Sequence, residues 1–246
     1  MKIVSLVPSY TKLLVDIGLR DSIVGITRFC VEPSDLHRSA VLVGGTKDPN
    51  IELIRKLEAD VVLVNSEENR LDDIKAIRAF SEVFESCPKT VDQGLDLIES
   101  FYQYFNLKKN ANLALYREKL KKIRSRNEQS KAILYFIWKE PFMVASKSTY
   151  IGSVLELAGY DNLSTDKLDY PVITVDEIKG MPLDYIILST EPYPFRKRDC
   201  RLIEEKLAKQ YDFMKACGKI FSWHGSYTRQ AIDLIFDRKD ILEKIS

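Results

Sequence analysis

The sequence predicts an α/β fold with two lobes, each built around a central parallel sheet. Short apolar runs alternate with amphipathic stretches over residues 1–106, and the alternation restarts at residue 132, which is typical of parallel sheets covered by helices. Between the halves, the run Leu107–Lys131 contains no Gly or Pro and spaces its apolar residues as a helix does. Such a helix would be about 40 Å long. We therefore expect Rossmann-like lobes at 1–106 and 132–246, joined by one long helix over 107–131, with a ligand cleft between the lobes.

The elements of the first half follow from apolar runs and from helix start and stop signals. Asn50 is a typical helix N-cap, and Gly18 is a typical residue just past a helix end. In chain order we predict strand Lys2–Leu6, helix Pro8–Ile17, strands Ser22–Ile26 and Val41–Val43, helix Asn50–Leu57, strand Asp60–Val64, helix Leu71–Phe80, strand Glu82–Glu85 and helix Val91–Phe105.

The second half repeats the pattern with more aromatic residues. Ala132–Trp138 has the length and the branched and aromatic content of a strand, and Thr174 with Glu177 has the spacing of a capping box. The remaining predicted elements are helix Tyr150–Ala158, a short helix Thr174–Ile178, strand Leu183–Leu188, helix Cys200–Lys209, a short strand Ile220–Ser222 and helix Thr228–Phe236.

Composition and charge favour a globular protein without a nucleic-acid partner. The 246 residues are 45% hydrophobic and 30% charged, with a formal net charge of +1, as in ordinary globular domains. Positive charge is concentrated in Leu107–Lys131, which has nine basic and two acidic residues. No aromatic residues alternate with these cations as they do in single-stranded nucleic-acid sites, so a solvated helix face is favoured. A regulatory or scaffold protein that binds nucleic acid through this helix is the alternative.

Cysteine spacing and the N-terminal sequence give information about the cellular compartment of the protein. The four cysteines have no CxxC spacing, which argues against a disulfide framework or a zinc site. The first residues, MKIVSLVPSYTKLL, lack the pattern of a signal peptide, and no apolar run reaches the length of a transmembrane segment. We expect a cytoplasmic protein as the sequence is written, or a periplasmic or cell-surface protein if the sequence begins at a mature terminus.

Candidate ligand-binding residues follow four predicted strands. Ligands of parallel α/β sheets bind outside the carboxyl ends of the strands, so these side chains are expected in one region. Tryptophans can stack on a planar ligand, carboxylates and histidine can bind a cation, and an arginine can bind a carboxylate or phosphate through its planar fork. The candidates are Glu67, Glu68, Asn69, Arg70, Trp138, Glu191, Phe195, Trp223 and His224. Each also has a structural interpretation, as a helix cap, core residue, rigid turn or solvated loop histidine.

Catalytic motifs are missing from the sequence. It has no GxxxxGK[ST] phosphate loop and no GxSxG nucleophile elbow, and it contains only two histidines. We therefore assign no catalytic residue and predict a binding protein. The alternative is a cytoplasmic enzyme or regulatory protein that uses the same cleft for a small organic ligand. In such an enzyme Glu67 and Glu68 would act as acid and base.

Several short segments, in order, resemble a known family. They are IVSLVPSYT near the N-terminus, VGGTK at Val43–Lys47, DVVLVN at Asp60–Asn65, EENR at Glu67–Arg70 and SWHGS at Ser222–Ser226. The chain resembles the helical-backbone metal receptor superfamily, the class III periplasmic-binding-protein-like group that includes the cobalamin and iron-siderophore substrate-binding proteins of ABC transporters. It is most similar to a branch without a signal peptide. The resemblance implies cobalamin or a ferric chelate as ligand and an ABC permease as a candidate partner, with direct metal coordination left open.

The sequence departs from this family pattern at several positions. Trp223 matches an aromatic position of the cobalamin binders, whereas Asn65 or Ser66 stands where another tryptophan is usual. The position expected for the second acidic docking residue falls near Gly225, and Lys12 replaces a usual acidic residue. The resemblance thus implies a binding protein with an altered ligand and an altered docking surface.

Overall fold

Two compact units make up the part of the chain that the computed structural model describes, which is residues 1–108, 112–126, 129–165 and 168–245. The first unit consists of Met1–Pro88 and His224–Ser226, and the second of Lys89–Trp223 and Tyr227–Ser246. Each has its own sheet, which confirms the predicted α/β class with two sheet-based lobes. The predicted lobe boundaries at 106 and 132 stay a prediction.

The first unit is a parallel sheet with its helices in the connections. In chain order its elements are β1 (Ile3–Ser5), α1 (Pro8–Asp16), β2 (Ile23–Ile26), β3 (Val41–Leu42), α2 (Ile51–Lys56), β4 (Val61–Val64), α3 (Leu71–Arg78) and β5 (Glu82–Glu85), with 3-10 turns at Arg20–Ser22 and Ser34–Arg38. The strand order is β3-β2-β1-β4-β5, and every pairing is parallel. The chain direction across the sheet therefore reverses between β1 and β4, and such a switch point is where open α/β sheets bind ligands.

Burial and capping explain why these segments fold as they do. All four residues of β4 are buried, as expected for a parallel strand covered on both faces. The Asn50 side chain accepts a hydrogen bond from the Leu53 N–H at 2.9 Å and so caps α2. One core cluster fills the space between the sheet and two helices; its buried members are Val4, Leu6, Val43, Ile54, Val62, Val64, Ile74 and Ile77.

The second unit carries the remaining elements. In chain order they are α4 (Val91–Tyr104), α5 (Asn112–Arg124), β6 (Lys131–Lys139), β7 (Phe142–Val144), α6 (Tyr150–Leu157), β8 (Tyr160–Asn162), α7 (Val175–Lys179), β9 (Tyr185–Ser189), α8 (Lys197–Leu207), β10 (Phe213–Ala216), α9 (Gly218–Ser222), α10 (Ser226–Phe236) and β11 (Leu242–Lys244). The sheet order is β11-β10-β9-β6-β7, with β8 also paired to β6. Strands β8, β6, β9 and β10 are parallel, whereas the edge strands β7 and β11 are antiparallel.

The predicted single helix over Leu107–Lys131 is wrong in its bounds. Helix α4 ends at Tyr104, and Asn106 has a positive φ of 51°, a left-handed conformation that asparagine tolerates and that ends helices. Helix α5 covers only Asn112–Arg124, about 20 Å, and Lys131 already belongs to β6. Residues 109–111 and 127–128 lie outside the described residues. The absence of Gly and Pro permitted a longer helix but did not require one.

The positive charge of α5 is largely used in ion pairs within the second unit. Arg117 bridges Asp96 and Glu99 of α4 at 2.7 and 3.1 Å, and Lys119 pairs with Asp233 of α10 at 2.6 Å. These pairs tie α5 to its two neighbours, so the cations that dominate this stretch of sequence have a structural use.

The predicted short strand Ile220–Ser222 is also wrong. These residues form the end of helix α9, which Gly218 begins. A short apolar run has no periodicity that separates strand from helix. The strand of this region is β10, Phe213–Ala216, which the sequence interpretation missed because its alternation is only four residues long. The segment from Trp223 onward therefore follows a helix rather than a strand.

Candidate ligand-binding site

The segment that follows β4 is held rigidly against the sheet of the first unit. Asn69 is buried, and its side-chain oxygen accepts the Asn65 N–H at 2.8 Å while its amide donates to the carbonyl oxygens of Leu6 and Thr46 at 3.3 and 2.9 Å. The Asn69 side chain is thus occupied in positioning the loop after β4.

Glu67 and Glu68 lie in this loop and are half-buried. The Glu67 backbone is fixed at both polar atoms: its N–H donates to the Asn65 side-chain oxygen at 2.8 Å, and its carbonyl accepts from Lys47 Nζ at 2.6 Å. Burial raises the pKa of Tyr10 well above 10, and the negative charge of Glu68 adds to that rise. Tyr10 therefore stays a neutral hydroxyl, and it donates to the Ser86 carbonyl at 2.9 Å.

His224 belongs to this first unit although it is distant in sequence. Its side chain is 6% exposed, and its ring centroid is 6.3 Å from that of Tyr10. The next residue, Gly225, has a φ of +78° and packs against Leu13 of α1, whose nearest side-chain atom would lie 2.9 Å from an added Cβ. The close approach and the positive φ both require glycine here.

Two exposed side chains of the first unit are available at the carboxyl ends of its strands. Arg70 is exposed at the N-cap position of α3, and within the described residues its guanidinium makes no ion pair. Phe29 follows β2 and is 47% exposed, with the Arg28 guanidinium 4.9 Å from its ring centroid. Phe29 was not a sequence candidate because nothing in its spacing distinguishes it from a core residue.

An aromatic pair, one ring exposed and one half-buried, marks the carboxyl edge of the sheet in the second unit. Trp138 is the penultimate residue of β6 and is 41% exposed, and its Nε1 donates to the Glu140 carbonyl at 3.1 Å. Its ring lies 5.7 Å from that of Tyr193 in an edge-to-face arrangement. Because β6 and β9 are parallel neighbours with Phe136 opposite Leu188, Trp138 and the loop after β9 meet at the carboxyl edge of the sheet.

Two predicted aromatic candidates are covered rather than exposed. Phe195 is 5% exposed and belongs to the hydrophobic core of the second unit, 6.5 Å from Phe136 and 4.8 Å from Tyr193 between ring centroids. Trp223 is 8% exposed and lies between Tyr227 at 5.5 Å and Lys219 Nζ at 5.1 Å from its ring centroid. In this structure both rings are engaged in intramolecular packing.

Glu191 is positioned by helix α9. Its side-chain oxygen accepts the Ser222 hydroxyl at 3.3 Å, and the Ser189 hydroxyl donates to its carbonyl at 2.6 Å. A Cβ on Gly218 would overlap the Glu191 side chain, so glycine allows this close approach. The structure thus joins Glu191 to the helix that directly precedes Trp223.

A buried carboxylate, that of Asp199, accepts a hydrogen bond from the Tyr193 hydroxyl of the aromatic pair. Asp199 is 1% exposed and accepts hydrogen bonds from Arg196 N–H at 2.8 Å, Lys139 Nζ at 3.2 Å and Tyr193 OH at 3.3 Å. Lys139 Nζ also lies 5.0 Å from the Tyr193 ring centroid. Burial alone would raise the pKa of Asp199, but its hydrogen bonds and the Lys139 charge lower it overall. The sequence interpretation missed this cluster because Lys139 and Asp199 lie 60 residues apart.

The described ranges of the chain lack a cluster of metal-ligating side chains and a helix able to cross a membrane. They contain no group of three or more His, Cys, Asp or Glu side chains placed to hold a metal ion. None of the helices described combines the length and the apolar character needed to cross a membrane.

Comparison with known sequences gives one family match that covers most of the chain. The family model described as periplasmic binding protein matches residues 3–217. A vitamin B12-binding protein of Vibrio cholerae serotype O1 is 24% identical over 186 residues, which is 72% of this chain. The match spans 66% of that relative's length, just under two thirds.

Comparison with solved structures supports the fold. A periplasmic heme binding protein from Pseudomonas aeruginosa superposes with a TM-score of 0.82 at 16% identity, covering 100% of this chain and 98% of that one. The periplasmic vitamin B12 binding protein of Vibrio cholerae gives a TM-score of 0.76 at 19% identity, covering 96% and 95%. At these identities the likeness establishes the fold alone.

Proposed function

Because the chain belongs to the periplasmic binding protein family, we propose that it is a non-catalytic substrate-binding protein for a metal-containing or planar organic ligand of the cobalamin, haem or iron-siderophore type. The ligand would be bound at the carboxyl ends of the strands. The observation that carries the proposal is the exposed ring of Trp138, which packs on the half-buried Tyr193 at that edge of the second sheet. Aromatic faces of this kind suit a flat ligand.

The first unit has exposed groups of its own at the carboxyl ends of its strands. Arg70 offers a guanidinium with no ion pair in the described part of the chain, and Phe29 offers an exposed ring. Glu67 and Glu68 in the first unit would accept hydrogen bonds or bind a cation, as the sequence interpretation expects, and so would Glu191 in the second unit. Relatives named as vitamin B12-binding and heme-binding proteins support this ligand class.

The compartment and the transport partner remain predictions. The solved relatives are described as periplasmic, which favours a periplasmic or cell-surface role if the sequence begins at a mature terminus. An ABC permease would be the partner in such a role.

Tryptophan fluorescence tests the proposal directly. Cobalamin, haem and ferric chelates would be titrated into the protein while emission is followed, with circular dichroism used to verify folding. The two tryptophans differ in exposure, 41% for Trp138 and 8% for Trp223, so most of the ligand-dependent change should disappear in Trp138→Phe and survive in Trp223→Phe. If the folded protein responds to none of these ligands, the proposed function is wrong.

A further inference from the structure

Four exposed cations lie within six residues at the start of α8. They are Arg196, Lys197, Arg198 and Arg201, here called the basic turn, and all four are exposed. Among the residues that the structure describes, none of the four takes part in an ion pair. The basic turn is therefore an exposed patch of positive charge at the start of the helix.

Two of the three carboxylates of α8 already have other partners. Asp199 is buried and pairs with Lys139, and Glu204 accepts the Tyr211 N–H at 3.3 Å. Lys197 and Arg201 lie on one face of the helix at an i, i+4 spacing, where like charges repel. Cations at a helix N-terminus are also opposed by the helix dipole. The arrangement is unfavourable for the isolated protein, and an anionic partner would offset it.

The basic turn follows Tyr193 of the aromatic pair closely along the chain. Tyr193 packs against Trp138 and precedes Arg196 by three residues, in the loop that follows the carboxyl end of β9. Ligands bind at this edge of a parallel sheet, and guanidinium groups bind carboxylates through paired hydrogen bonds. Aromatic faces and cations together suit a planar ligand that carries carboxylates.

We propose that the second unit selects polyanionic planar chelates through the basic turn and discriminates against uncharged analogues of the same shape. This inference rests on the proposed function and narrows its ligand class. A ligand whose polar groups are mainly neutral amides would leave the cations of the basic turn without partners.

The test compares haem with its dimethyl ester, in which both carboxylates are neutral and the ring is unchanged. It uses the whole protein, the variant Arg196→Gln/Lys197→Gln/Arg198→Gln and the matched variant Lys56→Gln/Lys121→Gln/Lys179→Gln. The matched variant removes the same charge at three exposed lysines elsewhere, which also lack ion pairs in the described residues. The Arg196→Gln change keeps the backbone N–H that Asp199 accepts.

We expect haem to bind at least tenfold more tightly than its ester, since one lost charge-assisted hydrogen bond is worth about that factor. The basic-turn variant should lose at least tenfold in haem affinity, while the matched variant loses less than threefold. The wild-type advantage of haem over the ester should also shrink as salt concentration rises.

The outcomes separate this inference from the proposed function. Equal affinity of the wild-type protein for haem and its ester, or equal losses in the two variants, would overturn the inference while leaving the proposed function intact. Binding of anionic vesicles or acidic proteins by the basic turn, with haem affinity unchanged in its variant, would also overturn it. If neither haem form binds and no other ligand of the set does, both proposals are wrong.

Discussion

Replacing Asp199 by asparagine should destabilise the second unit measurably. The carboxylate accepts three hydrogen bonds, from Arg196 N–H at one oxygen and from Lys139 and Tyr193 at the other. An asparagine side chain has the same shape but only one oxygen, so at least one of these donors would face an amide NH₂.

The magnitude follows from burial and from the exposure of the partner. A hydrogen bond to a charged group is worth about 1.5–3 kcal/mol, and leaving a buried charge unpaired costs more. The Lys139 side chain is 26% exposed, so water can solvate its ammonium when the partner charge is removed. We therefore expect a loss of about 2 kcal/mol in the free energy of unfolding, or about 4–8 °C in Tm for a chain of this size.

The pH dependence gives a second readout. The pKa of Asp199 is lowered in the folded protein, so its contribution is present above the unfolded pKa of about 3.9 and is lost as the pH falls through the folded pKa. The stability difference between the wild-type protein and Asp199→Asn should be constant between about pH 5 and 8 and should shrink below about pH 4.

Urea unfolding followed by circular dichroism would measure both effects. Asp212→Asn is the matched control, because Asp212 forms an exposed pair with Lys244 at 3.3 Å, and such pairs contribute about 0–1 kcal/mol. A loss for Asp199→Asn below 0.5 kcal/mol, or a loss that persists unchanged at acid pH, would refute the reasoning.

Three further predictions follow from single positions. Gly225→Ala should lower the free energy of unfolding by about 1–2 kcal/mol for the left-handed backbone, and by a further amount for the clash with Leu13, as measured by thermal unfolding. The control Gly18→Ala, at a φ of +85° with open space around it, should lose only the stability that comes from the backbone conformation. Equal losses in the two variants would contradict the packing argument. Gly218→Ala should displace the Glu191 side chain and weaken ligand binding in the fluorescence titration more than it lowers Tm; unchanged affinity would remove Glu191 from the site. Thr174→Ala should cost about 1 kcal/mol in urea unfolding, because it removes an observed capping box, and a neutral result would show that α7 does not need its cap.

The sequence predicted best where a local pattern was sufficient. The run at β4, the aromatic strand β6 and the capping box of α7 lie where local hydrophobicity and spacing put them. Each of these signals is complete within a few residues. The α/β class followed from their alternation.

Long-range pairing explains most of what the sequence could not predict. Helix α5 is shorter than expected because Asn106 ends α4 and because Lys131 pairs with Tyr160 in the sheet. The support of Tyr193 by Lys139 and Asp199 depends on strand β6 and helix α8, which bring together residues 60 positions apart. Phe195 was predicted as a ligand contact, and its burial among core residues could not be read from its position after a strand.

The discontinuity of the first unit has a consequence for the order of its assembly during translation. Residues 1–88 leave the ribosome first, but three residues of the same unit, His224–Ser226, emerge only after nearly all of the second unit has been synthesised. Until then Leu13 lacks the glycine that packs against it. In a nascent chain arrested before residue 224 the first unit should therefore be incomplete. Its residues 1–88 should be more sensitive to protease than the same residues in the finished protein.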